Sequence, residues 1–153
     1  MTIESRFDNV MSRVLRQIAA LPLHFAPDGS LEVYLVTSRG SGRWIIPKGN
    51  PIKGLTSEEV AAREAFEEAG LVGRMLDGCV GTFEFERSGE VCLVEVYPMH
   101  VDKQLRRYDE KRQRKVQRCD LQTACTIVCS SALASLIQAS FEQYHSQRLA
   151  MVS

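Results

Sequence analysis

Apolar residues concentrate in two β-rich runs near the start of the chain, VLRQIAALPLHF (residues 14 to 25) and LEVYLVTS (residues 31 to 38), joined by APDGS. Strand-forming runs bounded by Pro, Asp and Gly predict a hairpin. A short RWIIP follows and stops at Pro47. The period then changes. Thr56 with Glu59 makes a capping-box pattern and Gly70 stands where a helix C-terminal cap is expected, which predicts a helix over 57–69. Val60, Ala61, Ala65, Phe66 and Ala69 form its small apolar stripe. Beyond it, RMLDGCVGTFEFER and EVCLVEVYPMHV flank an SGE turn and read as strands, and KVQRCD reads as a further short one. In SSALASLIQASFEQYHSQRL, Leu133, Leu136, Ile137 and Phe141 recur at helical spacing. The order β, β, α, β, β, α describes an α+β sandwich.

The central helix carries Glu58, Glu59, Glu64, Glu67 and Glu68 with only Arg63 to offset them. Glu58 and Glu59 belong to the first turn, where carboxylates favour the helix dipole. Positions 64, 67 and 68 stand at i, i+3 and i+4 and project from one side as near neighbours. Like charges at that spacing cost roughly 0.2–0.5 kcal/mol per pair, a sign that a divalent cation reverses. Carboxylate oxygens suit Mg²⁺ or Mn²⁺, whereas zinc would call for His or Cys. A solvated Glu-rich helix face is the competing reading of the same pattern.

Length and composition set the bounds. A chain of 153 residues is expected to form a single domain, 1–153, with no repeat or linker to divide it. Nineteen basic and nineteen acidic residues leave no net charge, so no global field argues for nucleic acid or a membrane surface. Five cysteines without a C-x-x-C pair fit reduced thiols, and Cys125 and Cys129 read as buried small hydrophobes. The first residues lack the pattern of a secretory signal, and no apolar run approaches membrane-spanning length. A soluble, cytoplasmic protein is expected.

Gly49, Arg63, Glu64, Glu67, Glu68, Gly70 and Leu71 fall in register with G-x5-E-x7-R-E-U-x-E-E-x-G-U, where U is a bulky aliphatic. The chain therefore resembles the Nudix hydrolases. Leu55 stands where that box has its first Glu, and Ala65 where it has its first aliphatic. The likeness extends from about Arg16 to Phe141. LEVYLVTSRGSGRWIIPKG, with Arg43, Trp44 and Pro47, is similar to the branch that includes diphosphoinositol polyphosphate and diadenosine polyphosphate hydrolases. The resemblance implies a Nudix α/β/α sandwich with a mixed β-sheet. It also implies metal ligation by Glu64, Glu67, Glu68 and the Gly49 carbonyl, with Arg63 orienting the carboxylates.

The implied reaction is Mg²⁺-dependent (or Mn²⁺-dependent) cleavage of a phosphoanhydride in a phosphate-rich small molecule, with Arg63, Glu64, Glu67 and Glu68 as the catalytic set. Asp109 and Glu110 are candidates for a general base from outside the box. Substrate contacts are expected from Arg39, Arg43 and Lys48 and from the basic run KQLRRYDEKRQRKVQR (residues 103 to 118), with Arg112 and Arg114 as its clamp. A solvated basic loop is the bland reading of that run, and a core-edge position that of Trp44. Hydrolysis at an RNA 5′ end or of another nucleoside diphosphate derivative, and a catalytically weak nucleotide or polyanion sensor to which Leu55 points, are the alternative functions. Membrane partners are not expected, nor nucleic acid except as such an RNA end.

Overall fold

The structure, a computed structural model, describes residues 14–152. Strand β1 (Leu15–Phe25) and strand β2 (Leu31–Thr37) form the expected hairpin, pairing antiparallel with Leu23 opposite Val33. The turn closes where Ala26 N–H donates to the Ser30 carbonyl at 2.9 Å. Two short strands follow, β3 (Trp44–Ile45) on β2 and β4 (Lys48–Gly49) on β1, where Ile18 faces Gly49.

Helix α1 runs Ser57–Ala69 between the predicted caps. Thr56 Oγ1 accepts from Glu59 N–H at 3.1 Å, Glu59 Oε1 accepts from Thr56 N–H at 3.2 Å, and Gly70 turns left-handed at φ 67°. Its buried stripe differs from the expected one. Val60, Ala61, Ala65 and Ala69 are inaccessible, but Phe66 is 42 % exposed and Glu68 lies in the buried row at 3 %. Residues at 60, 61, 64, 65, 68 and 69 follow the helical period along the face that meets the sheet, and 66 falls beside it.

Strand β5 (Leu71–Met75) starts at once after the αL cap, and β6 (Gly81–Arg87) follows a bend. The run RMLDGCVGTFEFER is thus the end of one strand and the whole of another, divided at Asp77 and Gly78. Strand β7 (Glu90–Gln104) is the spine. One edge pairs parallel with β1 from Leu15–Cys92 to Leu23–His100; the other carries β6 on its first half and β5 on its second. Strand β8 (Val116–Cys119) adds to β2. Helix α2 (Leu121–Ile127) was not expected; Asp120 caps it by accepting from Thr123 N–H at 2.8 Å. Helix α3 (Ser131–Val152) is the expected amphipathic tail. Cys125 and Cys129, read as buried, are only half-buried.

Helix α1 packs on β1, β4, β5 and β7, and α2 and α3 on β2, β6 and β8, which makes the α/β/α sandwich with a mixed sheet. The core runs through Ile18, Leu21, Leu35, Ile46, Met99 and Ile137, all nearly inaccessible. Burial on both faces of β1 explains its near-continuous apolar run.

Between Val72 and Gly73 the β5–β7 register slips. A Cβ at Gly73 would stand 2.9 Å from the His100 carbonyl carbon and 3.0 Å from Val101 Cα, both backbone atoms with no room to yield. Gly73→Ala is therefore expected to cost about 1–3 kcal/mol, measured as a lower urea midpoint at unchanged slope.

Candidate active site

Strand β4 lies so close over helix α1 that a Cβ at Gly49 would collide with the Glu64 carboxylate. Any larger residue would have to push the Glu64 carboxylate aside. One residue earlier, Lys48 N–H donates to Glu68 Oε2 at 3.2 Å. Glu64 and Glu68, one helical turn apart, thus face the strand rather than solvent.

The segment after β7 completes this wall. Leu105 N–H donates to the Gly70 carbonyl at 2.7 Å, Tyr108 covers Gly70, and Glu110 N–H donates to the Glu67 carbonyl at 3.0 Å. The helix's terminal carbonyls are satisfied by the very segment that carries the basic run. Gln113 and Arg114 N–H both turn back to the Glu110 carbonyl. That turn aims Arg114 inward: its guanidinium reaches Glu68 Oε1 at 3.2 Å, Glu110 Oε1 at 3.0 Å and the Thr37 carbonyl at 3.0 Å. Arg112, on the outer side of the turn, is exposed and does not line the cleft. Arg39 pairs with Glu110 at 3.8 Å and Gln113 at 2.9 Å.

These groups border a cleft of about 490 Å³. Glu64, Glu68, Glu110 and Gly49 form one wall with Arg114 and Arg39; Arg43, Lys48, Phe85, Glu86 and Arg87 form the other. Lys48 Nζ donates to Gln17 Oε1 at 2.7 Å and sits 4.5 Å from the Phe85 ring centre, and Arg43 Cζ lies 5.6 Å from it. Of the expected residues, Gly49, Glu64, Glu68, Arg39, Arg43, Lys48 and Arg114 line this one space. Glu67 and Arg63 do not: they pair with each other on the flank at 2.9 Å. Phe85, Glu86, Arg87 and Gln17 line it without having stood out in the sequence. Trp44 is half-buried outside the cleft, bridging to Val128.

Burial, with the charges of Glu67 and Glu110 added, pushes the Glu64 carboxyl up to about 7. Burial pushes Glu68 to about 8, against the pull of Arg114. Burial likewise lowers Lys48 from the usual lysine range. Carboxyls raised in this way are sites where a further positive charge is favoured.

Among the described residues no three acidic, His or Cys side chains are already grouped around one point to hold an ion, because Arg63 and Arg114 engage the carboxylates. The donor set itself is hard oxygen, and the Gly49 cradle leaves the Glu64 carboxylate against open backbone. That chemistry fits a divalent cation of the Mg²⁺ type.

The NUDIX domain family model matches residues 15–126. The chain belongs to the Nudix family. Nudix hydrolase 16, mitochondrial, of Arabidopsis thaliana is 29 % identical over 92 residues, which are 55 % of this chain and 51 % of that protein. The chain thus spans about half the length of the curated relative it matches. A C. elegans Ap4A hydrolase binary complex superposes with a TM-score of 0.73 at 20 % identity, covering 87 % of this chain and 98 % of that one. The NUDIX domain of Shewanella oneidensis NrtR complexed with ADP ribose gives 0.66 at 18 %, covering 94 % and 99 %. At these identities the structural likeness is one of Nudix fold.

The raised carboxyls set a pH dependence. In the folded Nudix chain Glu64 and Glu68 hold protons up to about 7 and 8, and in the unfolded chain only to about 4.5. Their contribution to stability is complete below about pH 4.5 and is lost as pH rises through 7 and 8. In chelator, the urea midpoint is expected to fall between those limits, and Glu68→Gln to flatten the fall; an added divalent cation should also flatten it.

Proposed function

We propose that this Nudix protein is a divalent-cation-dependent pyrophosphohydrolase, using Mg²⁺ or Mn²⁺, that cleaves a phosphoanhydride in a phosphate-rich small molecule of the diadenosine polyphosphate or inositol pyrophosphate type. The observation that carries the reading is the pairing of two opposed walls across one cleft, the half-buried Glu64 and buried Glu68 carboxylates beside Gly49 on one side and the cations Arg43, Lys48 and Arg87 on the other. A bridging pyrophosphate needs both: cations for its non-bridging oxygens, and anionic oxygen donors for the metal that shares its charge.

Glu64, Glu68 and the Gly49 carbonyl would hold the cation, with Glu67 completing the set from the flank. When bound, a divalent ion supplies charge neutralisation of the phosphates and a more acidic water. Arg63 keeps the Glu67 carboxylate fixed through its 2.9 Å bond. Arg114 and the Lys48 N–H hold the two oxygens of Glu68 in place, and Arg114 takes one oxygen of Glu110. Glu110 would take a proton from an attacking water as the new phosphorus–oxygen bond forms and the phosphoanhydride oxygen departs with the other phosphate. The opposite wall orients the substrate's charged groups for in-line attack. Arg112 meets a substrate only where that substrate extends beyond the cleft. Five unpaired cysteines support a reducing compartment such as the cytoplasm. No helix among the described residues is long and apolar enough to cross a membrane.

Glu67→Gln and Glu68→Gln are each expected to lower Mg²⁺-dependent phosphate release by about a hundredfold or more, with the circular dichroism spectrum unchanged. The assay is single-substrate turnover over diadenosine polyphosphates, inositol pyrophosphates, triphosphorylated RNA and nucleotide sugars. Undiminished turnover in both variants would remove the carboxylates from the reaction.

A further inference from the structure

Seven residues of β1 are buried in succession, Gln17 to Leu23, and Gln17 is the one polar side chain among them. Filling the core asks for an apolar residue there. Gln17 instead lines the cleft at 4 % exposure, and its amide is used in two directions: Oε1 accepts from Lys48 Nζ at 2.7 Å, and Nε2 donates to Asn50 Oδ1 at 3.3 Å. Lys48 and Asn50 are the two neighbours of Gly49. The register explains how one side chain reaches both. Ile18 faces Gly49 and Ala19 faces Lys48, so the antiparallel ladder continued by one step sets Gln17 opposite Asn50, with the side chains at 48 and 50 on one face. Gly49, between them, turns its other side to the Glu64 carboxylate.

An amide suits this position because it accepts and donates at once. Lys48 forms no ion pair among the described residues. Its tether is a neutral oxygen, and it lies 4.5 Å from the Phe85 ring centre. A carboxylate at 17 would hold the ammonium as firmly but would cancel its charge. The amide fixes the ammonium and leaves the charge whole, with further N–H donors for a ligand.

We propose that Gln17 is a positioning residue of the Nudix site, a neutral clamp that holds Lys48 and Asn50 together across Gly49. The Lys48 ammonium then meets a phosphoryl oxygen in a fixed place, and the Gly49 peptide stays seated against Glu64. The clamp rests on the hydrolase reading for the reaction it serves, but its two bonds act on ligand binding whether or not turnover follows.

The test measures binding to the full chain by calorimetry, with Mn²⁺ alone and methylenediphosphonate, a pyrophosphate mimic with an uncleavable bridge, as separate probes. Turnover is followed alongside with Mg²⁺. Gln17→Met keeps an unbranched side chain of similar size and removes both bonds. It is expected to weaken methylenediphosphonate binding by about tenfold and Mn²⁺ binding by about threefold. In turnover it should raise KM by more than it lowers kcat, whereas a loss of folded protein would lower kcat alone. In a Lys48→Met chain the same change is expected to leave methylenediphosphonate binding where Lys48→Met put it, because a clamp acts through what it holds. Gln17→Glu keeps the Lys48 bond, which guards against a folding failure in Gln17→Met; by cancelling the charge it should also weaken methylenediphosphonate binding by about tenfold. Wild-type affinity for both probes in Gln17→Met, additive losses in the double variant, or wild-type methylenediphosphonate affinity in Gln17→Glu would each overturn the proposal. Turnover that does not depend on Gln17 would remove the clamp and leave the hydrolase. Binding that depends on Gln17 through Lys48, with no turnover of any phosphoanhydride, would uphold the clamp and remove the hydrolase.

Discussion

Glu68 cannot be buried to 3 % exposure without donors to replace water, and the donors it finds come from two distant parts of the chain. Lys48 N–H reaches it from β4, and Arg114 from the segment after β7. The same guanidinium takes Glu110 and the Thr37 carbonyl, so one planar fork ties helix α1, the basic segment and the end of β2 together. Remove it and a buried carboxylate, a half-buried one and a strand-end carbonyl lose partners at once. The close pass of Gly49 over Glu64 is held on both sides, by the pairing of β4 with β1 and by the Lys48 N–H bond to Glu68.

The residues of the basic run therefore divide by geometry rather than by composition. Arg114 is turned inward by the Glu110 carbonyl and becomes part of the acid wall, while Arg112 two residues earlier stays in solvent. A neutral total charge conceals a similar division across the cleft, where three acids with their own arginines face three cations accompanied by Glu86. The field inside the cleft is bipolar although the chain has no net charge.

Much of the frame was legible. Thr56, Glu59 and Gly70 bound helix α1 to the residue because caps are local chemistry, and the first hairpin announced itself through APDGS. Helix α2 was hidden because seven residues with two threonines and an isoleucine carry too short a period to read, and Asp120 is its only sharp signal. The acid box was legible as a set, but which glutamates face the cleft was not. Spacing puts 64, 67 and 68 on one side; only the sheet's position decides that 64 and 68 are covered and 67 is left to Arg63. Phe85 was hidden for a different reason, since it meets Arg43 and Lys48, which lie about forty residues earlier in the sequence.

Leu55, the position where the box lacks an acid, gains an explanation from the same geometry. Leu55 N–H donates to the Ile52 carbonyl at 3.1 Å, and both side chains pack against the core. The loop entering α1 is thus pinned by apolar contact, a role that a solvated carboxylate does not fill. Anchoring that loop fixes the helix start, and with it the depth at which Glu64 and Glu68 sit beneath Gly49. The carboxylate missing at 55 is matched by Glu110, which enters the cleft from the opposite direction on the Arg114 fork. The acid wall keeps three carboxylates, Glu64, Glu68 and Glu110, with the third supplied by a segment whose register is set by the helix's own C-terminal carbonyls.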